Sequence, residues 1–188
     1  MANVDKVNGA SPVMHLDGSP WNGVTQRLPF LAADGTAAFV GDFVKPGGTA
    51  DADGVMSITQ AAAGDTTILG VIVSFEPDPT DLSRTHRLAS TLRYANVCVS
   101  PDVIYEIQED NTATFAITMV GENADIVVAA GATTTGASGM ELNTTSHVTT
   151  TAQLRIMGVV QRPDNVVGVN AKLLVLINEH LYKTTSGI

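Results

Sequence analysis

Cysteine and long apolar runs are both scarce in this sequence of 188 residues. Cys98 is the single cysteine, so no disulfide can form within the chain. Proteins that fold without disulfides are typical of reducing compartments, and we expect this one to be made in a cytoplasm. No apolar run approaches the about 20 residues that a membrane-spanning helix needs. No N-terminal segment joins basic residues to an apolar stretch, so we expect neither a signal peptide nor a membrane partner.

Basic and aromatic residues are also few. Ten lysines and arginines stand against nineteen aspartates and glutamates, which gives a formal net charge of −9 at pH 7. Such a surface repels phosphate backbones, so the sequence argues against nucleic acid as a partner. Aromatic residues make up only 5% of the chain, which leaves few rings for stacking on sugars.

The residues that are present favour β-structure. Val, Thr, Ala and Gly are abundant, and turn-forming residues separate short apolar or alternating runs. Residues 112–120 fit either a short helix or a strand. The remaining runs predict strands at residues 28–31, 38–44, 55–60, 68–75, 92–99, 103–109, 126–129, 140–142, 153–161 and 172–181. We therefore predict an all-β fold, an antiparallel β-sandwich or barrel with long loops.

Two of these runs are apolar on both faces. Residues 68–75 and 172–181 are therefore predicted to form interior strands. Gly70 lies inside the first run and predicts a bulge or the close approach of another backbone. Asp34-Gly35 separates the runs at residues 28–31 and 38–44, and this dipeptide is a strong signal for a β-hairpin.

The N-terminal segment differs from the rest of the chain. Residues 1–26 lack sustained periodicity and are rich in turn signals, so we predict an irregular arm followed by a β-rich domain at residues 27–188. Trp21, the only tryptophan, lies in this arm. An aromatic anchor there indicates docking, either on the chain's own body or on a neighbouring subunit.

No catalytic or ligand-binding constellation emerges. The four histidines, His15, His86, His147 and His180, are far apart and lack zinc-site spacing. Asp51 and Asp53 resemble the start of a calcium loop, but Ala62 stands where a bidentate glutamate is needed. Cys98 fits a core strand, and Asp78 and Asp81 fit turn caps better than a carboxylate pair. We therefore expect no enzyme, cofactor or metal site.

One basic island interrupts the acidic chain. Residues 84–93 contain Arg84, His86, Arg87 and Arg93 and no acidic residue. Because the island follows a Pro-rich loop, it is a candidate contact with an acidic partner, together with Trp21. The alternative is a solvated loop with ordinary surface charges, and the sequence leaves both open.

Several segments between residues 40 and 182 resemble a family of tailed-phage virion structural proteins. The resemblance is carried by Leu92-Arg93-Tyr94-Ala95, Pro101 to Asp110, Gly121 to Asp125, Thr133 to Gly136 with Met140 to Leu142, Leu154 to Asn165, and Ala171 to Val175. It implies a capsid decoration (cement) protein that binds the outside of the head shell and bridges neighbouring subunits. The expected partners are the major capsid protein and further copies of the chain, as a dimer or trimer. The implied location is the capsid exterior, after assembly in the host cytoplasm.

A different class of function competes with this one. A tail or receptor-binding module that recognises a host surface glycan would also be β-rich and free of disulfides. Glycan sites usually present exposed aromatic rings, and the nine aromatic residues of this chain fall mostly within strand patterns. The sequence thus favours decoration over glycan binding.

Overall fold

The computed structural model describes residues 3–183, so the extreme ends of the predicted arm and domain lie outside the described residues. Regular structure in residues 3–183 consists of β-strands and three short 3-10 turns. The strands are β1 (Ser11–His15), β2 (Gln26–Phe30), β3 (Phe43–Ala50), β4 (Met56–Gln60), β5 (Gly70–Phe75), β6 (Arg93–Cys98), β7 (Val103–Gln108), β8 (Asn123–Ala124), β9 (Ile126–Val127), β10 (Glu141–Leu142), β11 (Leu154–Val159) and β12 (Lys172–Ile177). The 3-10 turns are Ile117–Met119, Thr144–Ser146 and Leu181–Lys183. Residues 112–120 thus form neither an α-helix nor a strand.

The first sheet runs β1-β7-β12-β11-β8 and is antiparallel throughout. Its inward side chains, among them Tyr105 and Val175, are buried in one core cluster together with Phe43 and Val71 of the second sheet. The rings of Phe43 and Tyr105 meet edge-on, with centroids 6.2 Å apart. This cluster therefore fills the space between two sheets, and the predicted β-sandwich is confirmed.

The second sheet runs β2-β6-β5-β3-β4 and has a core on each face. Leu28, Ile58, Ile72 and Val97 point away from the first sheet and form a second buried cluster. The edge strands β2 and β4 come close to each other, so the sheet curls around this cluster. Curling lets a single sheet bury its outer face without a third layer.

The two doubly apolar runs become central strands. β5 lies between β6 and β3, with Val71 in the first core and Ile72 in the second. β12 lies between β7 and β11 and ends at Ile177, four residues before the predicted end. Gly70 approaches β6 closely, as its position inside an apolar run predicts. Burial on both faces is why these strands lack a polar alternation.

The predicted N-terminal arm is partly wrong. Residues 11–15 form β1, an edge strand that pairs with β7 through a bulge between Pro12 and Met14. Ala10 is buried, and its N–H donates to the carbonyl oxygen of Gly41 at 2.9 Å. The segment lacks strand periodicity because β1 lies at the edge of its sheet and buries none of its residues fully, so neither face has to be apolar.

The predicted hairpin at Asp34-Gly35 is also wrong. β2 pairs with β6, whereas β3 pairs with β4 and β5. Residues 31–42 instead form a long connection, and its turn carbonyls bind a side chain from elsewhere in the chain. A turn signal in the local sequence does not predict a hairpin reliably where the backbone carbonyls form hydrogen bonds with distant residues.

Candidate docking surface

The connection between β5 and β6, residues 76–92, contains most of the predicted basic island. Two aspartates shape its first half: Asp78 accepts from the N–H of Thr80 at 2.9 Å, and Asp81 accepts from the N–H of Ser83 at 3.1 Å. Arg84 binds Asp78 at 2.6 Å. Hydrogen bonds from Thr80, and then Arg84, hold the pKa of Asp78 far below its usual range. The prediction that these aspartates cap turns is confirmed.

Arg87 is a structural residue with no exposed side chain. Its guanidinium donates to the carbonyl oxygens of Leu31 and Asp34 at 2.8 Å and of Thr91 at 3.0 Å, and also to that of Thr36. The nearest carboxylate oxygen, on Asp34, is 3.7 Å away. Arg87 therefore joins the 31–42 connection to the 76–92 connection through backbone carbonyls, in place of the predicted hairpin bonds.

Arg93, the first residue of β6, also binds backbone carbonyls. Its guanidinium donates to the carbonyl oxygens of Glu76 and Arg84 at 2.9 Å, and also to that of His86. His86 is itself buried and stacks on Phe39 at a centroid distance of 5.0 Å. Burial, followed by the charges of Arg84 and Arg93, lowers the pKa of His86. His86 can therefore pack between the two connections as a neutral ring, with no buried positive charge that a carboxylate would have to compensate.

The predicted contact surface made of the basic island is therefore corrected. Arg87, Arg93 and His86 are buried in the chain, and Arg84 is already paired with Asp78 and Asp81. None of the four offers a free positive charge to an acidic partner. The prediction failed because the buried guanidinium groups bind carbonyl oxygens, which a count of charged residues does not reveal.

The connection at residues 76–92, held by these arginines, exposes three leucines among its polar side chains. Leu82 is 81% exposed, Leu92 56% and Leu88 38%, and we call these three side chains the leucine platform. A groove of about 690 Å³ adjoins Leu82, Pro77 and Arg84, and another of about 340 Å³ adjoins Leu92 and is also lined by Pro77 and Arg84. Because two of these leucines border grooves on the surface, the platform is a candidate docking surface. The sequence feature that could have revealed this surface is a leucine placed among turn-forming residues, as at Leu82.

Trp21 lies elsewhere. It is half-buried, packs against the first core and lies beside the Cys98 thiol, at the end of β6 opposite Arg93. The sequence left open whether Trp21 docks on its own chain or on a neighbouring subunit, and in the structure it packs on its own chain. Cys98 is buried, as predicted, and burial raises the pKa of its thiol.

The described residues contain no group of three or more His, Cys, Asp or Glu side chains placed to hold a metal ion. His147 pairs with Glu122 at 2.6 Å on the surface, and His180 is buried. Asp51 accepts from the N–H groups of Asp53 and Val55, which confirms the predicted turn. No helix within residues 3–183 is long and apolar enough to cross a membrane.

Comparison of the chain with protein-family models, with curated proteins and with solved structures finds no match.

Proposed function

We propose that this chain is a phage capsid decoration protein that docks on the outside of the head shell through its leucine platform. The observation that carries the proposal is the contrast within residues 76–92, where buried arginines brace a connection that exposes three leucines among its polar side chains. The resemblance of residues 92–175 to virion structural proteins supplies the partner, the major capsid protein. The bridging of neighbouring capsid subunits and assembly into a dimer or trimer belong to the same proposal.

The energetics of the platform suit a repeated structural contact. Burying an exposed leucine contributes about 1.5–3 kcal/mol, so the platform supplies several kcal/mol per subunit. The braced connection is already ordered, which lowers the entropy cost of docking. Several subunits linked in an oligomer then bind the shell with an avidity that exceeds the affinity of one site.

The charges beside the platform contribute little to docking. Arg84 is paired with Asp78 at 2.6 Å and Asp81 at 3.3 Å, so its charge is already offset within the chain. Exposed ion pairs are worth about 0–1 kcal/mol. We therefore expect capsid binding to depend weakly on salt, in contrast to binding through a free basic island.

The proposal is tested with particles of the encoding phage that lack this protein. The variant Leu82→Ser with Leu92→Ser should bind such particles at least about 100-fold more weakly than the parent, from the transfer free energy of two leucines. Ile117→Ser is the matched control, because the exposure of Ile117 lies between those of Leu82 and Leu92, but Ile117 lies beside the first sheet. All three proteins should keep the thermal midpoint of the parent. Parental binding by the double variant would disprove docking through the platform.

A further inference from the structure

The N-terminal strap, residues 3–8, crosses one end of the first sheet. Asn3 donates to the carbonyl oxygens of Val166 and Val169 at 2.8 Å and accepts from the N–H of Val166 at 2.8 Å. Farther along, the strap is held by polar side chains of β7 and β12. A groove of about 420 Å³ lies between the strap and these strands. The strap is thus fixed by few contacts, most of them polar.

Gln108 is the hub of these contacts, and it is almost fully buried. Its amide nitrogen donates to Asp5 at 2.8 Å and to Glu141 at 3.4 Å. Its amide oxygen accepts from the N–H of Lys6 at 2.9 Å and from Lys172 Nζ at 2.7 Å. Lys172 also donates to the carbonyl oxygen of Lys6 at 2.7 Å. One glutamine therefore connects the strap to a carboxyl group on β10.

The surroundings of Glu141 carry an excess of negative charge. Each neighbouring element contributes charged groups: Asp5 on the strap, Glu109 and Asp110 at the end of β7, and Lys172 on β12, which Glu106 and Arg162 flank. Burial raises the pKa of Glu141 to about 7. The negative charges of Asp5, Asp110 and Glu109 act in the same direction. Among the described residues, the Lys172 ammonium is the one cationic group that donates to Gln108, since Lys6 contacts it through its backbone N–H.

We propose that the strap is a pH-gated latch, which stays docked while Glu141 is protonated and loosens when Glu141 ionises. An ionised Glu141 stands beside Asp5 at the same amide group, and their repulsion is relieved when the strap leaves. Asp5 on the docked strap adds to the effect of burial on the pKa of Glu141, so the stabilisation of the docked strap is complete at a pH where Glu141 is protonated with the strap docked or released. It is lost as the pH rises through about 7. The latch is independent of the proposed capsid function.

Hydrogen exchange at the Lys6 amide tests this proposal, because that N–H donates to Gln108. After correction for the intrinsic pH dependence of exchange, its protection should fall by up to about tenfold between pH 6 and pH 8. Glu141→Gln removes the titration, and its Lys6 amide should be equally protected at both values. Asp164→Asn is the matched control, because Asp164 lines the same groove but does not act on Glu141. The Lys6 amide of Asp164→Asn should lose protection between pH 6 and pH 8 as it does in the parent.

Asp5→Asn gives a second test that does not depend on the folding of the Glu141 variant. Removing the charge of Asp5 should raise Lys6 protection at pH 8 and leave it unchanged at pH 6. Thermal unfolding at both values separates release of the strap from global unfolding. Equal protection of the parent at pH 6 and pH 8 would overturn the proposal, and so would a pH dependence that persists in Glu141→Gln.

Discussion

Gly70 and Cys98 lie on neighbouring strands so close together that a Cβ at Gly70 would stand 2.0 Å from the carbonyl oxygen of Cys98. No side chain fits at that distance, and the obstacle is backbone that cannot rotate away. The two residues lie where the first core meets β5 and β6. The close approach explains a glycine at the start of β5, inside an apolar run of the sequence.

Gly70→Ala should therefore destabilise the protein by about 1–3 kcal/mol, because β5 and β6 must separate to admit one methyl group. Gly35→Ala is the control, since a Cβ at Gly35 meets nothing within 4 Å. Denaturant unfolding of both variants measures the difference. An unchanged free energy of unfolding for Gly70→Ala would show that the two strands leave room for a methyl group.

Arg87→Ala should cost at least about 3 kcal/mol of unfolding free energy, because it removes the hydrogen bonds that one fully buried guanidinium donates to four backbone carbonyl oxygens. Arg87→Lys should recover only a fraction of the loss, since an ammonium group cannot span several carbonyls as the planar guanidinium does. The matched control is Arg162→Ala, which removes an exposed pair with Glu106 and should cost about 1 kcal/mol or less. Similar costs for Arg87→Ala and Arg162→Ala would contradict a bracing role.

Because His180 is buried, we expect the protein to lose stability in acid. Burial, then the charge of Lys183, lowers the pKa of His180 to about 4. The unfolded chain binds this proton near its ordinary value of 6.5, so the contribution of neutral His180 is complete above 6.5 and is lost as the pH falls through about 4. Acidification from pH 7 to pH 4 should thus cost about 3 kcal/mol through this residue.

His180→Gln keeps an acceptor for the N–H of Tyr182, which His180 Nδ1 binds at 3.1 Å. Its free energy of unfolding should fall less on acidification than that of the parent. Equal slopes for parent and His180→Gln would mean that His180 is protonated within the fold.

The sequence predicted the features of the fold that depend on local pattern. Val71 and Ile72 predict a doubly buried strand because both pleat faces are apolar, and Gly70 predicts a close contact. β1 was not predicted because its pairing with β7 is tertiary and its own residues do not alternate. The hairpin at Asp34-Gly35 failed because Arg87 binds the carbonyls of that connection.

The basic island lies in the connection that carries the leucine platform, but the sequence did not predict that Arg87 and Arg93 are buried and that Arg84 is paired with aspartates. Arg87 reaches acceptors 51 to 56 residues away along the chain, a relation that local sequence does not contain. The exposure of Leu82 likewise depends on how the connection is braced.

The central claim is most directly tested by the copy number of the chain in purified virions, measured by quantitative mass spectrometry against the major capsid protein. Decoration of a symmetric shell predicts on the order of tens to hundreds of copies per particle, because the shell repeats each binding site many times. A copy number of only a few would contradict decoration and support a tail or receptor-binding module, and a chain missing from the virion would contradict both.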